Sequence, residues 1–201
     1  DIRLVLTDSR GNQRTREAQT WQKGTDKRLF RFTAPAAEAG IAFLSLPGDI
    51  TYLYMPAFGR ERRIASHVRN QSFAGTDFSY EDMEARAYYG NYEARITGST
   101  PTATRLELVP KPHLNSDYSR LVVEINQTHF YPESTQAYDR GGNLVKRAVY
   151  TWDKQDSFWY PSEIAMEALR RNHSTRMQMT RVQFNTGMDD QVFTVRNLTG
   201  F

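Results

Sequence analysis

Asp77, Glu81, Asp82 and Glu84 bring four carboxyls into one short stretch of the chain. Two chemistries use such a cluster: ligation of a hard cation, and a general acid–base pair. The spacing fits no calcium loop. Ser79 followed three residues later by Asp82 is instead a capping signal, with acids gathered where free N–H groups and the helix dipole favour them. A short helix is therefore expected over residues 79–86. His67, His113, His129 and His173 fall in expected loops and strand ends, with no second histidine at metal-ligand spacing, and read as ordinary hydrogen-bonded side chains. There is no phosphate loop, no nucleophile elbow, no H-E-x-x-H helix and no dinucleotide-binding glycine turn. No catalytic residue, metal or cofactor is assigned, and no enzymatic activity is expected.

A third group, Arg60, Arg62 and Arg63, lies near Tyr52, Tyr54 and Phe58. Basic residues interleaved with aromatics are one mark of single-stranded nucleic-acid binding. Strand alternation, however, puts Arg60 and Arg62 on one face and Arg63 with Glu61 on the other, which splits the patch and favours solvated ion pairs. A solvated strand face is the default reading, a lipid headgroup or partner contact ranks ahead of nucleic acid, and no nucleic-acid partner is expected.

The elements that would carry these residues follow a period of two. Ile2, Leu4 and Leu6 share a face, and the turn Ser9-Arg10-Gly11-Asn12 opens a hairpin whose second strand runs to about Trp21. Further strands are expected over residues 27–33, 41–46, 50–55, 60–65, 87–97, 102–109, 119–127, 134–138, 144–152, 163–169 and 175–184. Pro47-Gly48-Asp49 is the turn between the fourth and fifth strands, and Asp189-Asp190 starts a second helical turn. Pro132 and Pro161 are each expected at a strand entrance, where a missing N–H does least harm. Many strands, short turns and little helix periodicity indicate an antiparallel meander curling toward a barrel or half-barrel.

Composition is consistent with one folded β domain over residues 1–201: hydrophobic residues make up 39% and charged residues 24%. The formal charge of +3 is too small to demand a polyanion partner. The lack of cysteine excludes disulfides and thiolate metal sites. No apolar run approaches the roughly 20 residues of a membrane-spanning helix. The opening at Asp1 is expected to follow removal of an export signal.

Between Tyr52 and Asp82 the sequence becomes distinctive. Tyr54-Met55-Pro56-Ala57, Arg62-Arg63-Ile64 and Ser72-Phe73-Ala74-Gly75-Thr76-Asp77-Phe78-Ser79-Tyr80-Glu81-Asp82 resemble the signature of the outer-membrane lipoprotein-sorting family with a LolA-like fold. Thr76 stands where that family tends to have serine. The motif positions are Pro56, Arg62, Arg63, Phe73, Gly75, Asp77, Phe78 and Asp82. The resemblance implies a strongly curved, incomplete antiparallel barrel covered by one or two short helices. It also implies a periplasmic, monomeric carrier or chaperone for lipid or lipoprotein acyl chains, handing them to an inner- or outer-membrane transport partner. An envelope sensor or adaptor acting through protein contacts is the alternative.

An acyl chain gains about 0.8 kcal/mol per methylene on leaving water, so a carrier must offer a comparable dry surface. Phe30, Phe32, Leu44, Leu46, Tyr52, Tyr54, Met177 and Met179 are the positions expected to supply it, Met being suited by its adaptable thioether. The same residues could equally form a packed core. In the motif, Gly75 is expected to permit a tight turn, Phe73 and Phe78 to anchor it, and Asp77 or Ser79 to cap the helix.

Overall fold

The computed structural model describes residues 1–200. Its strands are β1 (Ile2–Thr7), β2 (Gln13–Lys23), β3 (Lys27–Ala34), β4 (Ala42–Leu46), β5 (Ile50–Met55), β6 (Arg60–Arg63), β7 (Tyr92–Ser99), β8 (Ala103–Pro110), β9 (Tyr118–Asn126), β10 (Pro132–Asp139), β11 (Leu144–Gln155), β12 (Phe158–Ala168) and β13 (His173–Met179). The helices are α1 (Tyr80–Met83) and α2 (Val195–Thr199). All thirteen strands form one antiparallel sheet in the order β6-β5-β4-β3-β2-β1-β13-β12-β11-β10-β9-β8-β7. The sheet is an open, LolA-like half-barrel. Because β1 pairs with β13 in its middle, the first and last strands are its most enclosed, and β6 and β7 are its two edges.

This order has a topological consequence. β6 and β7 follow each other in sequence but lie at opposite edges, so residues 64–91 must cross from one side of the sheet to the other. That strap carries most of the distinctive motif. Its Phe73 ring lies 5.5–5.6 Å from those of Phe30, Phe32 and Phe43 and 5.9 Å from that of Tyr80. Phe78 and Met83 join the same core with Ile2, Leu4, Leu6, Met166 and Met177.

The register separates this inner face from the outer one. Phe30 pairs with Phe43 and Phe43 with Leu53, whereas Leu29 pairs with Leu44 and Leu44 with Tyr52. The first set lies under the strap. The second packs outward beneath the C-terminal segment, where Phe193 and Leu198 cover Leu29, Ala42 and Leu44. The β3–β5 part of the sheet is therefore covered on both faces.

The strap's tip is a tight turn in which Ala74 (φ 49) and Gly75 (φ 75) are both left-handed and the Thr76 amide donates to the Phe73 carbonyl at 2.9 Å. Two positive φ values in succession are the type I′ signature, which Gly75 adopts at no steric cost. α1 is shorter than the expected helix because Glu84 is extended, and beyond it the Ala85 amide donates to Ser45 Oγ at 3.2 Å. Pro161, expected at a strand entrance, lies inside β12 opposite Trp152, where a register shift spares the ladder. Pro132 does begin β10, and Asp189 caps the turn at Asp190–Phe193.

Phe73→Ala should cost about 3–5 kcal/mol in urea unfolding, because four aromatic neighbours would face the void. Gly75→Ala, with nothing within 4 Å of the added methyl, should cost only the backbone term of about 1–2 kcal/mol in the same assay.

Candidate functional site

Beyond α1 the strap no longer fills the space over the sheet. Between it and β9–β12 lies a cleft of about 170 Å³. The sheet supplies an apolar floor from Leu121, Ala137, Ala148, Ile164 and Met166, while the strap supplies Phe78 and the polar side chains of Glu81, Asp82, Glu84 and Arg86. Tyr88, Tyr92, Tyr118 and Tyr150 complete the wall. Alternation explains the floor: Lys146, Ala148 and Tyr150 are successive same-face residues of β11, and β12 presents Ile164 and Met166.

The charged wall is organised around the strap's carboxylates. Glu84 is buried and paired with Arg69 and Arg86. Glu81 accepts from the Ser116 hydroxyl and, at 3.0 Å, from the Asp117 amide. Asp82 accepts from Tyr118 Oη at 2.8 Å and Lys146 Nζ at 2.5 Å, and it closes a capping box with Ser79. Burial pushes the pKa values of Glu81 and Glu84 up against the pull of their donors. It opposes the charge on Arg69, where Glu84 outweighs it and raises the pKa. Loss of solvent also holds Tyr118 well above its ordinary range and raises Tyr92 to about 12, so both remain neutral hydrogen-bonding groups across the physiological range.

The strap is tied down along its length by similar contacts. Arg16 Nη1 donates to the Ala74 carbonyl at 2.5 Å, and its Nε lies 2.6 Å from Glu38. Arg28 Nη1 donates to the Met83 carbonyl at 3.0 Å. Asp77 Oδ2 takes the Thr175 hydroxyl at 2.7 Å and lies 2.6 Å from His173 Nδ1. Of the two capping candidates, Ser79 caps the helix, whereas Asp77 fastens the strap to β13.

None of the eight positions expected to line a ligand site lines this cleft. Phe30, Phe32 and Met177 are buried in the packed inner core, with Met179 against it. Leu44 is buried on the outer face, and Leu46, Tyr52 and Tyr54 pack against that outer cluster. The two sets belong to separate clusters on opposite faces of the sheet. Among the motif positions, Phe73, Gly75, Asp77, Phe78 and Asp82 belong to the strap. Pro56 starts a 3-10 turn after β5, while Arg62 and Arg63 are exposed on edge strand β6, Arg62 lying 4.9 Å over the Phe58 ring.

The carboxyl cluster is a helix start only in part: Asp82 closes the expected capping box with Ser79, whereas Glu81 and Glu84 are buried and held by partners from outside the helix. Among the described residues no group of three acids or histidines is placed to hold a metal ion. The residues missed by sequence reasoning are Arg69, Arg86, Tyr88, Tyr92, Tyr118, Lys146 and Tyr150. The same-face run Lys146-Ala148-Tyr150 was the available signal for two of them.

A family model described as "Uncharacterized protein" matches residues 24–200. No curated protein matches the sequence. Among solved structures, the chain is similar to an outer membrane lipoprotein-sorting protein domain from Vibrio parahaemolyticus, at 26% identity and a TM-score of 0.88, covering 99% of this chain and 89% of that one. A DUF1329 family protein from Desulfovibrio piger is similar at 24% identity and a TM-score of 0.90, covering 98% and 89% respectively. A LolA superfamily protein from Nitrosomonas europaea shares the fold at 20% identity and a TM-score of 0.78, covering 96% and 87%. The chain belongs to the family whose model spans residues 24–200, and it carries the LolA-like fold of the outer-membrane lipoprotein-sorting proteins.

Proposed function

We propose that this chain is a periplasmic carrier that binds lipid or lipoprotein acyl chains without a cofactor and without catalysis, and that the conformation described here is its closed form. The similarity to the Vibrio parahaemolyticus lipoprotein-sorting domain supports the reading at the level of the fold. The observation that carries it within the chain is the under-filled cleft, with an apolar floor on the sheet and a polar roof on the strap. Such a two-sided cavity suits an amphiphile, whose hydrocarbon meets Leu121, Ile164 and Met166 and whose polar end meets the strap.

Size decides the state. A cavity of about 150 Å³ lined by apolar side chains accommodates benzene, so the 170 Å³ cleft accommodates a short segment of hydrocarbon and not a whole acyl chain. Loading would require the strap to move away from β9–β12. A second reading, an envelope adaptor acting through protein contacts, is favoured by the β1–β5 half, whose interior is filled by its own side chains.

The two readings separate on ligand content. For the carrier, mass spectrometry of organic extracts from gently purified protein should find acyl chains, and a fluorescent fatty-acid probe should be displaceable. Ala137→Phe, which places a ring in the cleft floor, should weaken that probe by about tenfold or more while leaving the circular dichroism spectrum unchanged. Absence of ligand in both measurements would leave the adaptor.

Stability should also respond to pH with a definite sign. Glu81 has a higher pKa in the folded chain than its ordinary 4.5, so the folded state binds that proton more tightly than the unfolded one. Its contribution to stability is therefore fully present below pH 4.5 and is lost as pH rises through the raised value. Glu81→Gln removes this dependence. Urea midpoints measured across that window should show wild type losing stability relative to the variant as pH increases.

A further inference from the structure

The cleft does not end at Tyr150. Along the same face of β11 the Trp152 ring lies 6.4 Å from Tyr150, and Trp152 stacks on Tyr131 at 4.7 Å with an interplanar angle of 16°. Tyr131 then lies 5.3 Å from Trp159, and Trp159 4.6 Å from His129. These rings come from three places: the β9–β10 turn, the end of β11 and the start of β12. They form an unbroken aromatic strip leading from the cavity wall to the far end of the sheet. Its outer members are accessible, Trp159 being 37% exposed.

Two features distinguish this strip from incidental surface. The indole N–H of Trp152 is already used, donating to the Pro132 carbonyl at 2.6 Å, which fixes the ring and leaves its faces as the available surface. Aromatic residues at strand tips also cost solubility when left bare; here Tyr131, Trp152 and Trp159 gather on the side continuous with the under-filled cleft, while Phe158 and Tyr160 pack on Phe184 on the other face. The cleft alone is too small for a long hydrocarbon, and the strip begins at the residue that closes it.

We infer that Trp152, Tyr131, Trp159 and His129 form a second part of the ligand site, an open track on which the portion of an acyl chain too long for the cleft lies extended against aromatic faces. This rests on the carrier reading above. Within it, the cleft binds one end of the ligand and the track sets the preferred chain length. Ring faces accept hydrocarbon without any geometric demand on its position, so affinity grows with the length of chain laid on the track while branching is tolerated. Lys154 Nζ lies 5.7 Å over the Trp159 ring and marks where the track meets solvent.

Isothermal titration calorimetry of the whole chain with octanoate and hexadecanoate, each below its micelle concentration, tests the assignment. Wild type should bind hexadecanoate more tightly than octanoate. Trp159→Ser should weaken hexadecanoate by about tenfold, equivalent to returning roughly two methylenes to water, and should leave octanoate unchanged. His129→Ala, a smaller change at the same end, should act in the same direction and is decisive if the tryptophan variant misfolds. If wild type binds both acids and neither variant alters hexadecanoate, or both acids weaken equally, the track is overturned while the carrier reading stands. If wild type binds neither acid, the carrier reading fails and the track with it.

Discussion

An open sheet whose two edge strands are consecutive in sequence must send its chain across its own face. That constraint organises this molecule. Residues 64–91 connect β6 to β7 across the sheet, so they must satisfy two opposing requirements. They must bury apolar surface against the strands beneath, and they must find partners for every backbone and charged group carried there. Phe73, Phe78 and Met83 meet the first requirement. Arg16, Arg28, Ser45, Thr175, Ser116 and Lys146 meet the second, each from a different strand or loop. The strap therefore reads the position of much of the sheet at once.

The same constraint divides the interior into unlike halves. Over β1–β5 the strap brings aromatic rings and the space closes. Beyond α1 it brings carboxylates, whose burial is tolerable only because Arg69 and Arg86 come with them. A buried ion pair offsets much of its own desolvation penalty but contributes little beyond that. It is therefore a poor filler and a good specifier of position. Tyrosines serve the same end, bulky enough to wall a cavity and polar enough to face a charged roof. The cleft is where one segment of chain changes from packing to charge pairing, and the ligand chemistry proposed for it follows from that change.

Much of the sheet was legible in the sequence because its signal is local. Hydrophobic alternation and turn chemistry located all thirteen strands, with β5 matching at both ends, since each strand's period and each turn's glycine or proline act within a few residues. The capping box at Ser79 and Asp82 was legible for the same reason. Which face of a strand meets which partner is not local information. Phe30 and Leu44 look alike as apolar strand residues, yet one lies under the strap and the other under Phe193 and Leu198. Only the register separates them, and register depends on pairing across the chain. Glu84 was misread because its partner Arg69 approaches from the opposite arm of the strap.

The two arms of the strap also differ in what it costs to lift them. Raising the first would expose Phe73 and Phe78, each worth about 1.5–3 kcal/mol of apolar burial, and would strand the Asp77 carboxylate that β13 now receives. Beyond Ala85 the chain carries Tyr88 and Tyr89, already 46% and 96% exposed, and few apolar anchors. Its neutral hydrogen bonds are replaceable by water at a net cost of about 0.5–1.5 kcal/mol apiece, and its one costly contact is that of Arg86 with the buried Glu84, which keeps Arg69 as a partner. The arm over the cleft is thus the one least bound by hydrophobic packing, while the arm over the packed half holds the register of the sheet. An opening that begins near Tyr88 can widen the cleft toward the Tyr150 and Trp152 side without disturbing the aromatic cluster around Phe73. On the carrier reading proposed above, access and structural integrity then fall to different ends of one segment.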